Sequence, residues 1–278
     1  MIREITSIEN HSSLPQAFRI GKPGFLKSML LKPTMLLLAL LLFTQAAFAG
    51  QVTILAPVDN TNVDFEHLGM SVTTFSSEQL EEMDQETATS VKQSIEASVL
   101  VLTGAMMPTE AFANLFENDE TRDALDGLFR RGGMFYLGQL SGGGYNNLPD
   151  AMRSYFEDKD VFIPRAGNRP STSGTIGTFF AHANPELMDL PLLSQPNSLA
   201  EGTWRGVGRN AFYFRDFPDT ALPILLGPED GYPVMLLQQG ILGEGKLIIS
   251  QARDLTRSQQ SHFWDNLIAF LGGDESSE

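Results

Sequence analysis

After residue 50, short apolar runs alternate with stretches in which apolar residues recur at helical spacing. Continuous apolar runs such as Val99–Leu102 and Met134–Leu137 are typical of parallel strands that are buried on both faces. Two further strands are predicted at Gln51–Ala56 and Ser71–Phe75. Helices are predicted between these strands, one capped at Ser77 and the others after Pro108 and near Leu148. This alternation predicts βαβ units and a mostly parallel sheet.

The pattern changes in the second half of the chain. Residues 163–219 are rich in Pro, Gly, Ser and Asn, which predicts loops and short strands over the sheet edge. Three strand-like runs follow, at Leu222–Leu226, Val234–Gln239 and Lys246–Ile249, and their short turns predict an antiparallel meander. An amphipathic helix over Ser258–Leu271 is expected to close the domain.

The N-terminal region has the three parts of a secretory signal. Lys27 and Lys32 precede the apolar run Met35–Phe43, and Ala47-Phe48-Ala49 has the form of a cleavage site. The run is much shorter than the roughly 20 residues that a membrane-spanning helix needs. We therefore predict a cleaved signal region at 1–49, one α/β domain at 50–273 and an acidic tail at 274–278. Met29 and Met35 are alternative starts to Met1.

Composition removes several functional classes. The chain has 19 basic and 34 acidic residues, of which five and two precede Gly50, so the mature part has 14 basic and 32 acidic residues. A net charge of −18 repels phosphate backbones, which argues against nucleic-acid binding. Cysteine is absent, which excludes disulfides, thiolate metal sites and thiol nucleophiles. No histidine pair has metal-ligand spacing, so we predict no metal and no cofactor.

Three segments resemble the class I glutamine amidotransferase-like superfamily. Val99–Gly104 is similar to the strand and turn that supply an oxyanion donor, and Gly133–Gly142 is similar to the strand and nucleophile elbow. The third likeness is to the C-terminal half of the trehalose-utilisation-type and β-galactosidase trimerisation-type branches, at Pro223–Leu226, Gly231–Pro233, Gly243–Ser250 and Phe263–Leu271. The resemblance implies a flavodoxin-like, mostly parallel sheet with helices on both faces, plus antiparallel C-terminal strands.

The residues for the family's chemistry are missing at the matching positions. In the elbow Gly138-Gln139-Leu140-Ser141-Gly142, Leu140 stands where the family has its cysteine, and no histidine follows the strand at Lys246–Ile249. Leucine has no lone pair for attack, so glutaminase activity is not expected. Ser141 could be a displaced nucleophile with His182 as its base, but a polar turn residue and a structural histidine are the favoured interpretations.

Two groups of residues are candidates for ligand binding. The glycine turns after the apolar strands would let a ligand approach the backbone, as ligands do at the carboxyl ends of strands in open α/β sheets. Arginines close to aromatic residues could bind an anionic or sugar-like ligand, or could simply neutralise the acidic surface. The candidates are Gly104, Gly138, Gln139, Gly142, Gly143, Arg165, Arg169, Trp204 and Arg205.

These observations lead to one main functional prediction and two alternatives. We expect a periplasmic or secreted, non-catalytic domain that binds a small molecule, a carbohydrate or a protein partner, with no membrane attachment after cleavage. A secreted hydrolase of carbohydrate or peptide, rebuilt around Ser141, is the main alternative. A structural subunit that associates through a sheet edge or the closing helix is the other, and it makes a homo-oligomer one of the expected assemblies.

The signal region yields the first test. The protein isolated from its host is expected to begin at or near Gly50, because the A-x-A motif ends at Ala49. N-terminal sequencing measures this directly. An intact N-terminus recovered from a membrane fraction would instead identify the segment as an anchor.

Overall fold

The structure is a computed structural model, and it describes nine stretches of the chain. These are residues 50–56, 64–103, 107–138, 148–164, 179–199, 203–206, 214–227, 233–250 and 261–272, with 179–180, 203–206 and 261 described in the backbone alone. All belong to the second of two compact units, Phe48–Glu278. The predicted signal region and acidic tail lie outside the described residues. Within the described stretches, no helix has both the length and the apolar character needed to cross a bilayer.

The described residues form one mixed sheet. Its order is β2-β1-β3-β4-β9-β8-β7-β5-β6. The first five strands in that order are parallel to one another, and each later pair is antiparallel. The strands are β1 (Gln51–Leu55), β2 (Ser71–Phe75), β3 (Ser98–Thr103), β4 (Met134–Leu137), β5 (Phe179–Ala183), β6 (Thr203–Gly206), β7 (Ala221–Leu226), β8 (Pro233–Ile241) and β9 (Gly245–Ser250). The predicted parallel strands and the C-terminal meander are confirmed.

Seven α-helices occur in the described residues. They are α1 (Ser77–Glu81), α2 (Gln85–Ala97), α3 (Thr109–Glu117), α4 (Asp119–Arg130), α5 (Asp150–Glu157), α6 (Pro191–Ser194) and α7 (Ser261–Gly272). The predicted cap at Ser77 is wrong by one residue. Ser76 caps α1, since its side chain accepts from the Gln79 amide while the Gln79 side chain accepts from the Ser76 amide.

The helical stretches predicted after Ser77 and after Pro108 are each divided into two helices by a second N-cap. Asp84 accepts a hydrogen bond from the Thr87 amide and starts α2, and this bond lowers the pKa of its carboxyl group. Asn118 accepts from the Thr121 amide and starts α4 directly after α3. Helix α4 ends before Gly132, which adopts a φ of 74° that favours glycine and whose amide donates to the Phe129 carbonyl.

The sheet separates two apolar cores. Alternate residues of each parallel strand face opposite sides, so that Val101 and Phe135 lie in the first core while Leu102 and Met134 lie in the second. Helices α1 to α5 cover the first core, where the rings of Phe116, Phe135 and Phe156 contact one another. Helices α6 and α7 cover the second core. Helices therefore pack on both faces, as the continuous apolar runs predict.

Side-chain amides tie the less regular segments to this frame. The Gln238 side chain in β8 accepts from the Phe162 amide and donates to the Phe162 carbonyl, both at 2.8 Å. The buried Asn266 of α7 donates to the carbonyls of Leu192 and Asn197. Each side-chain amide satisfies backbone groups of a segment that is not paired in the sheet.

The Gln238 contact predicts an effect on stability. Replacing Gln238 with Ala leaves the amide and carbonyl of Phe162 without these partners, so we expect the free energy of unfolding to fall by about 2 kcal/mol. Urea unfolding followed by circular dichroism measures the change. The matched control is Gln239→Ala at the adjacent exposed position. Equal losses in the two variants would contradict the assigned role of the Gln238 side chain.

Candidate functional site

The connections that leave β1 and β3 run to opposite faces of the sheet. After β1 the chain contributes Phe65 and Met70 to the second core, whereas after β3 helices α3 and α4 pack in the first core. Adjacent parallel strands whose connections diverge in this way leave a crevice at their carboxyl ends, which is where open α/β sheets bind ligands. This switch point, called the crevice below, falls at Ala56 and Thr103, the last described residues after β1 and in β3.

Ala56 has an unusual backbone conformation at this crevice. Its φ is 51°, in the left-handed region, and the residue is 2% exposed. A left-handed conformation costs a non-glycine residue about 1 kcal/mol, so surrounding contacts must hold it. The Ala56 amide donates to the Phe75 carbonyl at 2.8 Å, and this bond fixes the end of β1 against the end of β2.

Thr103 joins the end of β3 to the end of β4. The Gly138 amide donates to Thr103 Oγ1 at 2.9 Å, and Thr103 Oγ1 donates to the Tyr136 carbonyl at 3.3 Å. A Cβ atom on Gly138 would stand 2.6 Å from the Thr103 carbonyl oxygen, closer than any side chain tolerates. Glycine is therefore required at 138 by the close approach of two strands, and the start of the elbow segment is fixed in position.

A buried pair of hydroxyl groups, those of Tyr136 and Ser250, joins β4 to its other neighbour, β9. The Tyr136 side chain hydrogen-bonds with Ser250 at the end of β9, and its ring contacts Trp264 of α7 with the centroids 5.4 Å apart. Burial raises the pKa of the Tyr136 hydroxyl well above its ordinary value, although the Ser250 bond acts in the opposite direction. The phenol is therefore neutral, and it acts as a hydrogen-bonding group between β4, β9 and α7.

The residues that end the strands at this edge are uncharged. Ala56, Thr103, Gly138 and Ser250 present backbone groups and hydroxyls, and each of them is buried. Among the described residues, no group of three histidine or carboxylate side chains is placed to hold a metal ion. These four residues carry no acid or base for catalysis, and the Ala56 and Gly138 amides and the Thr103 and Ser250 hydroxyls bond within the chain.

Of the glycine-turn candidates, Gly138 is the one that the structure describes. Gly104, Gln139, Gly142 and Gly143 lie outside the described residues, as do Leu140 and Ser141. Arg165 and Arg169 also fall outside them. In the sequence Gly104 follows β3 directly and Gln139 follows Gly138, so the predicted turns begin at the crevice edge. Their roles remain predictions.

The remaining candidates lie in the antiparallel half of the sheet. His182 is a half-buried residue of β5, four strands from β4, which corresponds to roughly 19 Å at the usual strand spacing. Trp204 and Arg205 lie on β6 at the far edge, five strands or roughly 24 Å from β4. The fold therefore does not bring these three residues together with Gly138. His67 and His262 are exposed.

Sequence reasoning missed Ala56, Thr103 and Ser250. Their signal was positional, since each residue lies at the end of a predicted strand or directly after it, and the carboxyl ends of parallel strands are where such folds collect functional groups. Nothing in the residue types marked them, because threonine, serine and alanine occur throughout the chain. The Thr103 contact with Gly138 depends on the neighbouring register of β3 and β4, in which Leu102 lies opposite Tyr136.

The fold is similar to that of two solved bacterial structures. The cytoplasmic protein STM1381 from Salmonella typhimurium LT2 matches with a TM-score of 0.53 and 9% identity, over 80% of this chain and 99% of that chain. The cytoplasmic protein STM3548 from Salmonella typhimurium matches with a TM-score of 0.50 and 11% identity, over 80% and 98%. At these identities the likeness establishes the fold alone.

An exo-β-1,4-mannosidase, Op5Man5 from Opitutaceae bacterium strain TAV5, gives a weaker match. Its TM-score is 0.39 at 10% identity, over 81% of this chain and 35% of that chain, which is too low to support an argument. No protein-family model and no curated protein matches the sequence. The described residues define an α/β protein in which the parallel strands β1, β3, β4 and β9 end on uncharged residues.

The Thr103 contact yields a test of how this edge is held. Thr103→Val removes the hydroxyl that accepts from the Gly138 amide but keeps nearly the same side-chain shape. We therefore expect the free energy of unfolding to fall by about 1–2 kcal/mol. Faster hydrogen exchange at the Gly138 amide should accompany the loss. Thr103→Ser keeps the hydroxyl and serves as the control. Unchanged exchange at Gly138 in the valine variant would show that the hydroxyl does not hold this segment.

Proposed function

We propose that this chain is an exported, non-catalytic domain of the glutamine amidotransferase-like type that binds a ligand at the carboxyl edge of its parallel strands. The observation that carries the proposal is the divergence of the connections after β1 and β3, at a point where Ala56 has a left-handed conformation and Thr103 accepts from the Gly138 amide. Backbone strain of this kind persists at ligand sites because the surrounding structure over-determines it.

The strand order supports a flavodoxin-like frame for this proposal. Counted along the chain, the parallel strands β1, β2, β3, β4 and β9 are first to fifth, and their spatial order is then 2-1-3-4-5. This is the order of flavodoxin-like sheets, whose ligands lie at the switch point between the first and third strands. The same point in this chain is the crevice at Ala56 and Thr103.

Two observations support a binding role over a hydrolytic one. Leu140 stands where the resembled family has its elbow nucleophile. That family also has a histidine just after the late strand, and residues 246–254 contain no histidine. His182, the candidate base for Ser141, lies four strands from the strand that leads into the elbow. General-base activation needs the two groups within about 3 Å of each other. The rebuilt hydrolase therefore remains an outcome of the test below.

The chemistry of the edge favours a neutral ligand. The strand-ending residues are uncharged and hydrogen-bonding, while the mature chain as a whole carries a net charge of −18. A negative field of this size opposes anionic ligands. A small polyhydroxylated molecule such as a sugar matches a site built from backbone groups and hydroxyls, because it donates and accepts hydrogen bonds without requiring a counter-charge.

Activity assays decide between the binding and hydrolytic functions. We expect hydrolysis of glutamine and of p-nitrophenyl acetate to be no faster than the buffer background, because the chain has no cysteine nucleophile. Ser141→Ala is expected to change neither background turnover nor stability. Turnover by the natural chain that disappears in Ser141→Ala would replace the binding function with the hydrolase.

Binding is tested by nuclear magnetic resonance with the isotope-labelled protein. Titration with the neutral disaccharides trehalose and lactose is expected to shift the amide signals of Ala56, Thr103 and Gly138. The Gly240 amide is the internal control, because it lies next to the β8–β9 turn at the opposite end of β9. Shifts confined to other regions, or no shifts at millimolar sugar, would contradict the proposed site and ligand class.

A further inference from the structure

Strand β2 forms one outer edge of the sheet, and its hydrogen-bonding pattern can be assigned residue by residue. The Ser71 amide donates to the Gly50 carbonyl, and the Phe75 carbonyl accepts from the Ala56 amide. In a parallel ladder, alternate residues bond to the same neighbour, so Ser71, Thr73 and Phe75 bond to β1. The amides and carbonyls of Val72 and Thr74 therefore point away from the sheet.

The two residues that flank this outer edge are satisfied within the chain. The Met70 amide donates to the Phe65 carbonyl, and the Ser76 amide donates to the Gln79 side chain. Val72 and Thr74 are thus the outward positions whose backbone groups face no strand among the described residues. Both side chains are exposed, and Val72 at 36% is one of two large apolar residues with that much exposure among the residues that the structure describes.

The β2 edge also lacks the usual protection against pairing. Edge strands are commonly guarded by lysine, proline or a bulge, and the ladder between β1 and β2 is regular. No charged residue occurs from Leu68 to Ser77, in a mature chain with 32 acidic residues. By contrast, residues 77–160, which contain helices α1 to α5, carry 16 acidic and six basic residues.

From this edge we infer that β2 pairs antiparallel with β2 of a second copy of the chain, around a two-fold axis at Thr73. This register places Val72 opposite Thr74 of the other copy, and both positions have outward amides and carbonyls. About four inter-chain hydrogen bonds form, and the two Thr73 residues become a close non-hydrogen-bonded pair. Two copies with the same negative charge can approach most closely where the chain is neutral. The inference is independent of ligand binding at the crevice.

The association is tested by sedimentation equilibrium of the purified protein at about 1 to 300 micromolar. We expect the weight-average mass to rise with concentration from that of one chain towards that of two. The dissociation constant of the dimer should fall with added salt, because salt screens the repulsion between the copies. Val72→Lys and Thr74→Pro are each expected to weaken dimerisation at least about tenfold. The proline removes an outward amide and spares the ladder to β1, so its melting temperature should stay close to that of the natural chain.

The control variant is Leu242→Lys, because Leu242 is the other large exposed apolar residue, at 37%, and lies in the β8–β9 turn. It should leave dimerisation unchanged. A protein that is monomeric throughout would overturn the proposal. The proposal would also be overturned if the dissociation constant of the dimer were unchanged in both Val72→Lys and Thr74→Pro, or if it rose equally in Leu242→Lys. Should the proline variant fail to fold, the Val72→Lys variant decides.

The absence of cysteine provides a test of the register. Thr73→Cys places one thiol from each copy at the two-fold axis, within the spacing at which a disulfide forms. Mild oxidation is expected to convert this variant to a covalent dimer on a non-reducing gel. Gln239→Cys, at an exposed site on β8, should remain monomeric on the same gel. Cross-linking that is no faster at position 73 than at 239 would overturn the pairing.

Discussion

The parallel strands β1, β3, β4 and β9 are buried on both faces, and the rest of the domain depends on this constraint. A strand with two buried faces needs apolar residues at consecutive positions and a layer of helices on each side. Leu100 through Leu102 and Met134 through Leu137 meet the first requirement, since each is at most 4% exposed. The second requirement places helices α1 to α5 on one face and α6 and α7 on the other.

The same constraint explains why the polar groups of the interior are paired so closely. Thr53 of β1 lies within 2.6 and 2.7 Å of the hydroxyls of Ser94 and Ser98, where α2 leads into β3. A buried hydroxyl without a partner would cost more than its bond contributes, so these groups occur as a cluster. At the opposite end of the strands, Thr103 and Ser250 likewise use their hydroxyls to join neighbouring strands.

Charge divides the surface into regions with different roles. Helices α1 to α5 carry an excess of acidic residues, whereas β2 and the described residues that end the parallel strands at the carboxyl edge are uncharged. Polar contacts on the helical face serve stability: Asp126 accepts from the Tyr155 hydroxyl and pairs with Lys159, which joins α4 to α5. The neutral regions are therefore the places where ligand binding and self-association are proposed.

The sequence by itself determined the strands, because an apolar run such as Val99–Leu102 has a strong local signature that survives any tertiary arrangement. It also determined that the chain has no cysteine, since residue identity needs no coordinates. It did not locate the helix breaks at Asp84 and Asn118, where side-chain caps compete with continuous helical spacing.

Tertiary structure alone decided which residues meet. The sequence separation of Thr103 and Gly138 gives no hint of their hydrogen bond, which arises because β3 and β4 are neighbours in the sheet. The same topology places His182, Trp204 and Arg205 on strands far from Gly138. Strand order is set by packing across the whole sheet, and it is therefore a property that no single segment encodes.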